Sequence, residues 1–139
     1  MHLLDTDTLT HLYAGHPRAT ERLHGLDDPD VGTTVITKIE LLRGRFDFVL
    51  KAATGAELLK AQRLLARTEE LLAQILIVPL DESAATQFDH LRTAKGLSKI
   101  GRADLLIASI ALAQRAILVT RNVRHFRQVP SLNVTNWVD

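Results

Sequence analysis

The chain of 139 residues is long enough for one domain with a buried core, since 46% of its residues are hydrophobic and 24% are charged. The absence of cysteine excludes disulfides, cysteine-ligated zinc, iron–sulfur clusters and thiol catalysis. The net charge of +1 favours no particular partner, and neither a membrane-spanning run nor a signal peptide is recognisable. We expect a single cytoplasmic domain over residues 1–139, without contact to a membrane.

The first half of the chain predicts two strands and four helices. An apolar run ending at Asp5 predicts the strand His2–Leu4, and a β-branched run predicts the strand Val31–Ile36. Between them we expect the helix Thr8–Ala14, a helix from Pro17 to Gly25, and a solvated turn at residues 27–30. A third helix should begin with Thr37 as its N-cap, and a fourth should follow Thr54. Both carry apolar residues at helical spacing: Ile39, Leu42, Phe46, Val49 and Leu50 in one, Leu58, Ala61, Leu65, Leu72 and Ile75 in the other.

The second half of the chain alternates strands with helices. The predicted elements are a buried strand Ile75–Pro79, a helix opened by Asp81 and Ser83 and ending near Gly96, a central helix Asp104–Arg115, a buried strand Ile117–Thr120, a short helix Asn122–Phe126 and a strand Leu132–Trp137. Alternation of this kind predicts β-α units with right-handed crossovers. The expected fold is therefore a three-layer α/β/α sandwich around a central, mostly parallel five-stranded sheet.

Basic residues are concentrated in the C-terminal half. Between residues 90 and 128 there are eight lysines and arginines but a single acid, Asp104. This asymmetry is compatible with a polyanionic partner and equally with an ordinary solvated surface. Aromatic residues make up only 4% of the chain and are scattered, which argues against a base-stacking RNA-recognition sheet.

Three acids follow apolar segments at positions where a parallel sheet gathers its functional groups. Asp5 ends the first strand, Glu40 lies one helical turn after the second, and Asp104 lies in the first turn of the central helix. Each has a structural alternative. Asp5 can cap a helix, Glu40 can belong to a capping box or pair with Arg43, and Asp104 can interact with the helix dipole.

Together, the three carboxylates predict a metal site. Carboxylates brought close without a cation repel one another, and Mg²⁺ or Mn²⁺ with oxygen ligands relieves this repulsion. A metal held in this way activates water for attack at phosphorus. Basic residues beside such a site could hold a phosphodiester backbone. The candidates are Arg43, one turn from Glu40, Arg102, two residues from Asp104, and Arg121, next to Asn122 two residues past the predicted strand Ile117–Thr120. We therefore expect metal-dependent phosphodiester hydrolysis.

Four segments carry a family resemblance: LLDTDTLTHL (3–12), TTVITKIELLRG (33–44), GRADLLIASIALA (101–113) and ILVTRNVRHFRQVPSL (117–132). They resemble the blocks of PIN-domain ribonucleases, above all the VapC-type toxins of type II toxin–antitoxin systems. The resemblance implies an endoribonuclease whose Asp5, Glu40 and Asp104 bind Mg²⁺ or Mn²⁺. Asn122 falls on a fourth catalytic position that is often Asp in the family.

The resemblance also implies partners. It predicts an RNA substrate, a cognate antitoxin protein and a homodimer. The helical pair 37–74 is the expected docking surface, although its leucine stripe fits an ordinary core equally well.

Two other functions compete with a nuclease. One is a non-catalytic module that binds RNA or a protein partner, in which the acids only cap helices. The other is a haloacid dehalogenase-type phosphatase, suggested by the sequence DTDT at residues 5–8, but the lysine and acid pair that such chemistry needs after Thr120 are absent. Binding without catalysis should survive EDTA, whereas metal-dependent cleavage should not.

Overall fold

A five-stranded parallel sheet forms the centre of the computed structural model, which describes residues 1–139. The strands are β1 (His2–Leu4), β2 (Val31–Thr34), β3 (Leu76–Val78), β4 (Ile117–Val119) and β5 (Asn133–Thr135). The helices are α1 (Thr6–Tyr13), α2 (Pro17–His24), α3 (Val35–Lys51), α4 (Gly55–Ala73), α5 (Glu82–Arg92), α6 (Arg102–Ala113) and α7 (Val123–Phe126). All twelve elements expected from the sequence are present.

The strand order is β3-β2-β1-β4-β5, so the chain winds outward from β1 in both directions. The winding reverses between β1 and β4, which are neighbours in the sheet with Leu4 beside Val119. In open parallel sheets, the crevice at the carboxyl ends of two such strands is the usual place for a ligand, because their connections leave to opposite faces. The topology therefore places the ends of β1 and β4 at the position of a functional site.

Helices cover both faces of the sheet. Successive residues of a strand point to opposite faces, so Leu3 and Leu118 pack into a core with α5 and α6, whereas Leu4 and Val119 pack into a second core. The second core contains Leu9, and helices α1, α3 and α4 enclose it. The expected three-layer α/β/α sandwich is confirmed.

The second strand ends earlier than the sequence predicts. We expected Val31–Ile36 with Thr37 as the helix N-cap, but the strand stops at Thr34, whose side chain accepts a hydrogen bond from the Thr37 backbone N–H at 3.3 Å. A capping hydroxyl satisfies a free N–H of the first helical turn, and this outweighs the β preference of Val35 and Ile36. The prediction of Thr37 as the cap was wrong.

One further expectation fails at the edge of the sheet. The strand around residues 75–79 was expected to be buried, but β3 is an edge strand and Leu76 is 44% exposed. The turn at residues 27–30 is solvated as expected, since Asp27, Pro29 and Asp30 are exposed. Within it Asp28 is half-buried, and its carboxylate contacts His2 and lies 3.1 Å from the N-terminal amine of Met1.

Part of the apolar stripe of α3 lies on the surface. Ile39, Phe46 and Leu50 share one side of the helix and are 53%, 48% and 82% exposed. We call these three residues the α3 apolar face. On α4, Leu58 is also exposed, whereas Leu72 is buried in the core. The helical pair therefore contributes to the core and also leaves a hydrophobic surface uncovered. None of the helices combines the length and hydrophobicity that a membrane span requires.

Candidate metal centre and active site

A depression of about 280 Å³ opens at the carboxyl ends of β1 and β4. Its lining contains the three carboxylates expected from the sequence, Asp5, Glu40 and Asp104. Two other predicted residues, Arg121 and Asn122, also line it. The remaining lining residues are Thr6, Asp7, Ile107 and Phe126. The acids come from three elements separated by 35 and 64 residues of sequence. The fold therefore brings the three predicted carboxylates to one surface site.

Asp5 follows β1 directly and is only 9% exposed. One carboxylate oxygen caps α1, accepting the Thr8 backbone N–H at 2.9 Å. Burial raises the pKa of Asp5 above its usual value of 3.8, although hydrogen bonds from Thr120 and Thr8 oppose this shift. The capping role and the position in the depression thus belong to the same side chain.

Glu40 lies in the second turn of α3. Its carboxylate accepts a hydrogen bond from the Thr6 hydroxyl at 2.6 Å. It forms no ion pair with Arg43, which was the structural alternative considered from the sequence. The first residue of α1 therefore holds a side chain of α3 at the depression.

Asp104 lies in the first turn of α6, with one carboxylate oxygen 3.3 Å from Nε2 of His125. Burial raises the pKa of Asp104, His125 lowers it, and the negative charges of Glu40 and Asp5 raise it further. The negative charges of the two other acids therefore act on Asp104 across the depression.

The connection after β4 supplies the polar rim of the depression. Buried Thr120 accepts a hydrogen bond from the Asn122 backbone N–H at 3.0 Å, which fixes the turn that carries Asn122. The guanidinium of Arg121 donates two hydrogen bonds of 3.3 Å to Asp139 and lies 3.8 Å from a carboxylate oxygen of Asp7. Arg121 is thus the cation that the structure brings to the acidic site.

Two of the three predicted phosphate ligands do not line the depression. Arg102 begins α6, and its guanidinium lies over the Phe88 ring at 5.3 Å from the centroid. Arg43 lies on α3, one turn after Glu40, also outside the lining. Proximity in sequence was a poor guide for Arg102, because residues two apart on a helix lie on opposite sides of it and Arg102 precedes Asp104 by two. Arg43 shares a helix face with Glu40 at its spacing of three residues and still lies outside the lining. A contact between these two arginines and phosphate stays a prediction.

Sequence reasoning missed His125 and Thr6. His125 lies on α7, and Nε2 is buried without a well-aligned hydrogen bond despite its distance of 3.3 Å from Asp104. The sequence could have identified Thr6 as a site residue, because it lies directly after Asp5 at the carboxyl end of β1. His125 gave no comparable signal, since its position depends on how α7 packs.

The donor set of the depression fits a hard divalent cation. No three acidic or histidine side chains close tightly around one point. Mg²⁺ is nevertheless bound in many proteins by one or two carboxylates while it keeps several waters, so an open arrangement of carboxylate oxygens suits it. The mutual repulsion that acts on Asp104 is the kind of strain that such an ion relieves.

The fold and the acidic site define a class of protein. Residues 2–132 match the model of the PIN domain, and the chain belongs to this family. Divalent-metal dependence is a general property of PIN-domain ribonucleases.

Within that family the chain is similar to proteins named VapC. Ribonuclease VapC2 of Rickettsia felis is 37% identical over 75 residues, which cover 52% of this chain and only 55% of that relative. The tRNA(fMet)-specific endonuclease VapC of Salmonella typhimurium is 24% identical over 137 residues, covering 97% of this chain and 96% of the relative. The prediction of a VapC-type ribonuclease, the toxin class of toxin–antitoxin systems, is confirmed.

Solved structures of VapBC complexes have the same fold. VapBC2 from Rickettsia felis, bound to a DNA fragment from their promoter, is 28% identical with a TM-score of 0.77 and covers 98% of both chains. VapBC-1 from nontypeable Haemophilus influenzae is 25% identical with a TM-score of 0.80, covering 99% of this chain and 98% of the other. Both likenesses extend over nearly the whole of this chain.

Proposed function

We propose that this chain is an endoribonuclease of a single domain, residues 1–139, and that it hydrolyses RNA phosphodiester bonds with Mg²⁺ or Mn²⁺ in the cytoplasm, where cellular RNA lies. The observation that carries the proposal is the meeting of Asp5, Glu40 and Asp104 in one depression at the switch between β1 and β4. The VapC names of the relatives support RNA as the substrate.

In this proposal Asp5, Glu40 and Asp104 hold the metal ion. A bound divalent ion lowers the pKa of a coordinated water and stabilises the negative charge that develops on phosphate oxygens. Asp5 is held rigidly, because its carboxylate also caps α1. Asn122 is neutral and lies on the rim, where its amide can orient water or a phosphate oxygen through hydrogen bonds.

Arg121 is the phosphate ligand that the geometry favours. Its guanidinium stands at the rim of the depression, and two parallel N–H donors already bind a carboxylate of Asp139 in the way that they would bind two phosphate oxygens. The pairs of Arg121 with Asp139 and Asp7 are exposed, so exchange of these carboxylates for phosphate costs little.

We propose that the cognate antitoxin covers the α3 apolar face. Ile39 immediately precedes Glu40, so this face begins beside the acidic depression. Exposed apolar surface of this kind marks protein interaction sites. A partner that lies on the face would therefore reach the mouth of the depression. The family resemblance additionally supports a homodimer, which sedimentation of the purified protein tests.

Incubation of the purified chain with total RNA, with Mg²⁺ or with EDTA, tests the proposed activity. We expect cleavage at mapped sites with Mg²⁺ and none with EDTA. Binding of RNA that persists in EDTA, together with intact RNA in Mg²⁺, would favour the non-catalytic binding module instead. As a graded control, Asn122→Ala should reduce cleavage less than Asp5→Ala does.

A further inference from the structure

Thr6 connects two elements that carry the acidic site. It is the first residue of α1, directly after Asp5, and its side chain reaches across to α3. The Thr6 hydroxyl oxygen lies 2.6 Å from a carboxylate oxygen of Glu40 and 3.1 Å from the hydroxyl oxygen of Thr37. These contacts span 34 and 31 residues of sequence, so they depend on the folded chain.

The direction of the two hydrogen bonds follows from the number of protons. An ionised carboxylate only accepts, so Thr6 donates its single hydroxyl proton to Glu40. Thr37 is fully buried and lies one turn before Glu40 on α3. Its hydroxyl then supplies the proton of the contact between the two threonines. The result is a chain of hydrogen bonds from buried Thr37 through Thr6 to the carboxylate of Glu40.

Glu40 needs such a restraint more than the other two acids do. Asp5 is fixed by its helix cap, and Asp104 is short and half-buried in the first turn of α6. Glu40 is exposed and has a longer side chain, and the neighbouring carboxylates repel it. Without a partner, its carboxylate would turn away from the depression toward solvent.

We propose that Thr6 is a positioning residue that holds the carboxylate of Glu40 in the depression for metal binding, with Thr37 orienting the Thr6 hydroxyl. The inference rests on the proposed metal-dependent function. In this role the hydroxyl group of Thr6, and not the shape of its side chain, restrains the carboxylate of Glu40. Outer partners that orient a metal-binding side chain alter metal affinity by roughly 10–100-fold when they are removed.

Mn²⁺ binding to the purified, metal-free full chain tests the proposal without RNA. Thr6→Val keeps the shape of the side chain and removes the hydroxyl, so we expect the Kd for Mn²⁺ to rise about 10-fold in calorimetry. Thr6→Ser restores a hydroxyl and should stay within about 2-fold of the parent. Thr37→Val should weaken binding less than Thr6→Val does, because it acts through Thr6.

Thr10→Val is the matched control. Thr10 lies one turn later on α1, and its hydroxyl donates to the Thr6 backbone carbonyl at 2.8 Å without contacting an acid. The Kd of Thr10→Val for Mn²⁺ should equal that of the parent. Thermal unfolding in EDTA should give similar melting temperatures for all variants. Unchanged Mn²⁺ affinity in folded Thr6→Val, with normal binding by the parent, overturns the role of Thr6 alone. A parent chain that binds no Mn²⁺ overturns the proposed function and this inference with it.

Discussion

Glu40 of the acidic depression and Ile39 of the α3 apolar face are consecutive residues, but the two regions differ in how they are built. The depression gathers carboxylates from the end of β1, from α3 and from α6, so it exists only in the folded chain. The α3 apolar face comes from a single helix, and its residues would share one side of that helix in isolation. One region therefore depends on topology, and the other depends on periodicity.

The difference has a chemical consequence. The fold holds charges that repel one another together in the depression, and a divalent cation lowers the free energy of this repulsion. Apolar side chains on α3 are exposed to water, and a protein partner that buries them lowers the unfavourable free energy of their hydration. We therefore expect the two regions to bind different ligands, a divalent cation in the depression and a protein on the α3 apolar face. Variants that affect one region without the other test whether the two are separate.

The largest effect is expected at the depression. Asp104→Asn should reduce RNA cleavage in Mg²⁺ by more than about 100-fold, since it removes a proposed metal ligand and not only an outer partner. The folded chain should persist, and its binding to antitoxin should change little. Initial rates on a defined RNA, measured at matched protein purity, check this. Cleavage by Asp104→Asn at the parental rate would contradict the metal role of Asp104.

Asp104→Asn should also change how the free energy of unfolding depends on pH. Burial raises the folded-state pKa of Asp104 above 3.8, so a proton is bound more tightly in the folded state than in the unfolded state. The free energy of unfolding therefore falls as pH rises from below 3.8 through the raised pKa. In EDTA at pH 7, Asp104→Asn should melt at the parental temperature or higher, and the difference should vanish near the acid end of a pH series.

Gly32 lies in β2 and tests the packing of the sheet itself. An added Cβ on Gly32 would lie 2.2 Å from the carbonyl oxygen of Leu76 in β3, so β2 and β3 would have to move apart. We expect Gly32→Ala to lower the free energy of unfolding by about 1–3 kcal/mol in urea titrations. Gly44→Ala is the matched control, because a Cβ there meets nothing and helix propensity should raise stability by about 0.5–1 kcal/mol.

Substitution on the α3 apolar face should leave catalysis intact. Leu50→Glu changes a side chain that is 82% exposed, so its effect on unfolding should stay below about 0.5 kcal/mol. Binding of the cognate antitoxin should weaken about tenfold, or about 1.4 kcal/mol. Leu80→Glu introduces the same charge at an exposed leucine outside α3 and should bind normally. Equal losses of antitoxin binding in both variants would show that the α3 apolar face is not a specific binding site for the antitoxin.

Much of the fold could be predicted from the sequence, because parallel sheets follow from alternating strands and helices. The same rule located the depression, since Asp5 follows β1 directly and Asn122 lies three residues past the end of β4. Two kinds of information were missing. The capping role of Thr34 was hidden in a β-branched run, and the position of His125 depends on packing. Exposure of Ile39 was not readable either, because a helical stripe has the same spacing whether it meets the core or a partner.

The smallest effect is expected at the amino end of β1, away from the depression at its carboxyl end. A hydrogen bond with His2, the Asp30 backbone N–H and the N-terminal amine lower the pKa of Asp28 to about 2. A lowered carboxyl pKa contributes stability that is present above pH 3.8 and is lost as pH falls toward 2. Asp28→Asn should therefore melt slightly below the parent at pH 7 and at the parental temperature near pH 2. Neither cleavage nor antitoxin binding should change, since Asp28 belongs to neither region.

Anomalous scattering from crystals of the metal-free chain soaked in Mn²⁺ tests the central claim most directly. The account predicts a manganese peak in the depression, bound by oxygens of Asp5, Asp104 or Glu40, and no such peak in Asp104→Asn at the same Mn²⁺ concentration. An empty depression at a Mn²⁺ concentration that supports RNA cleavage, or a peak bound only elsewhere on the chain, would contradict it.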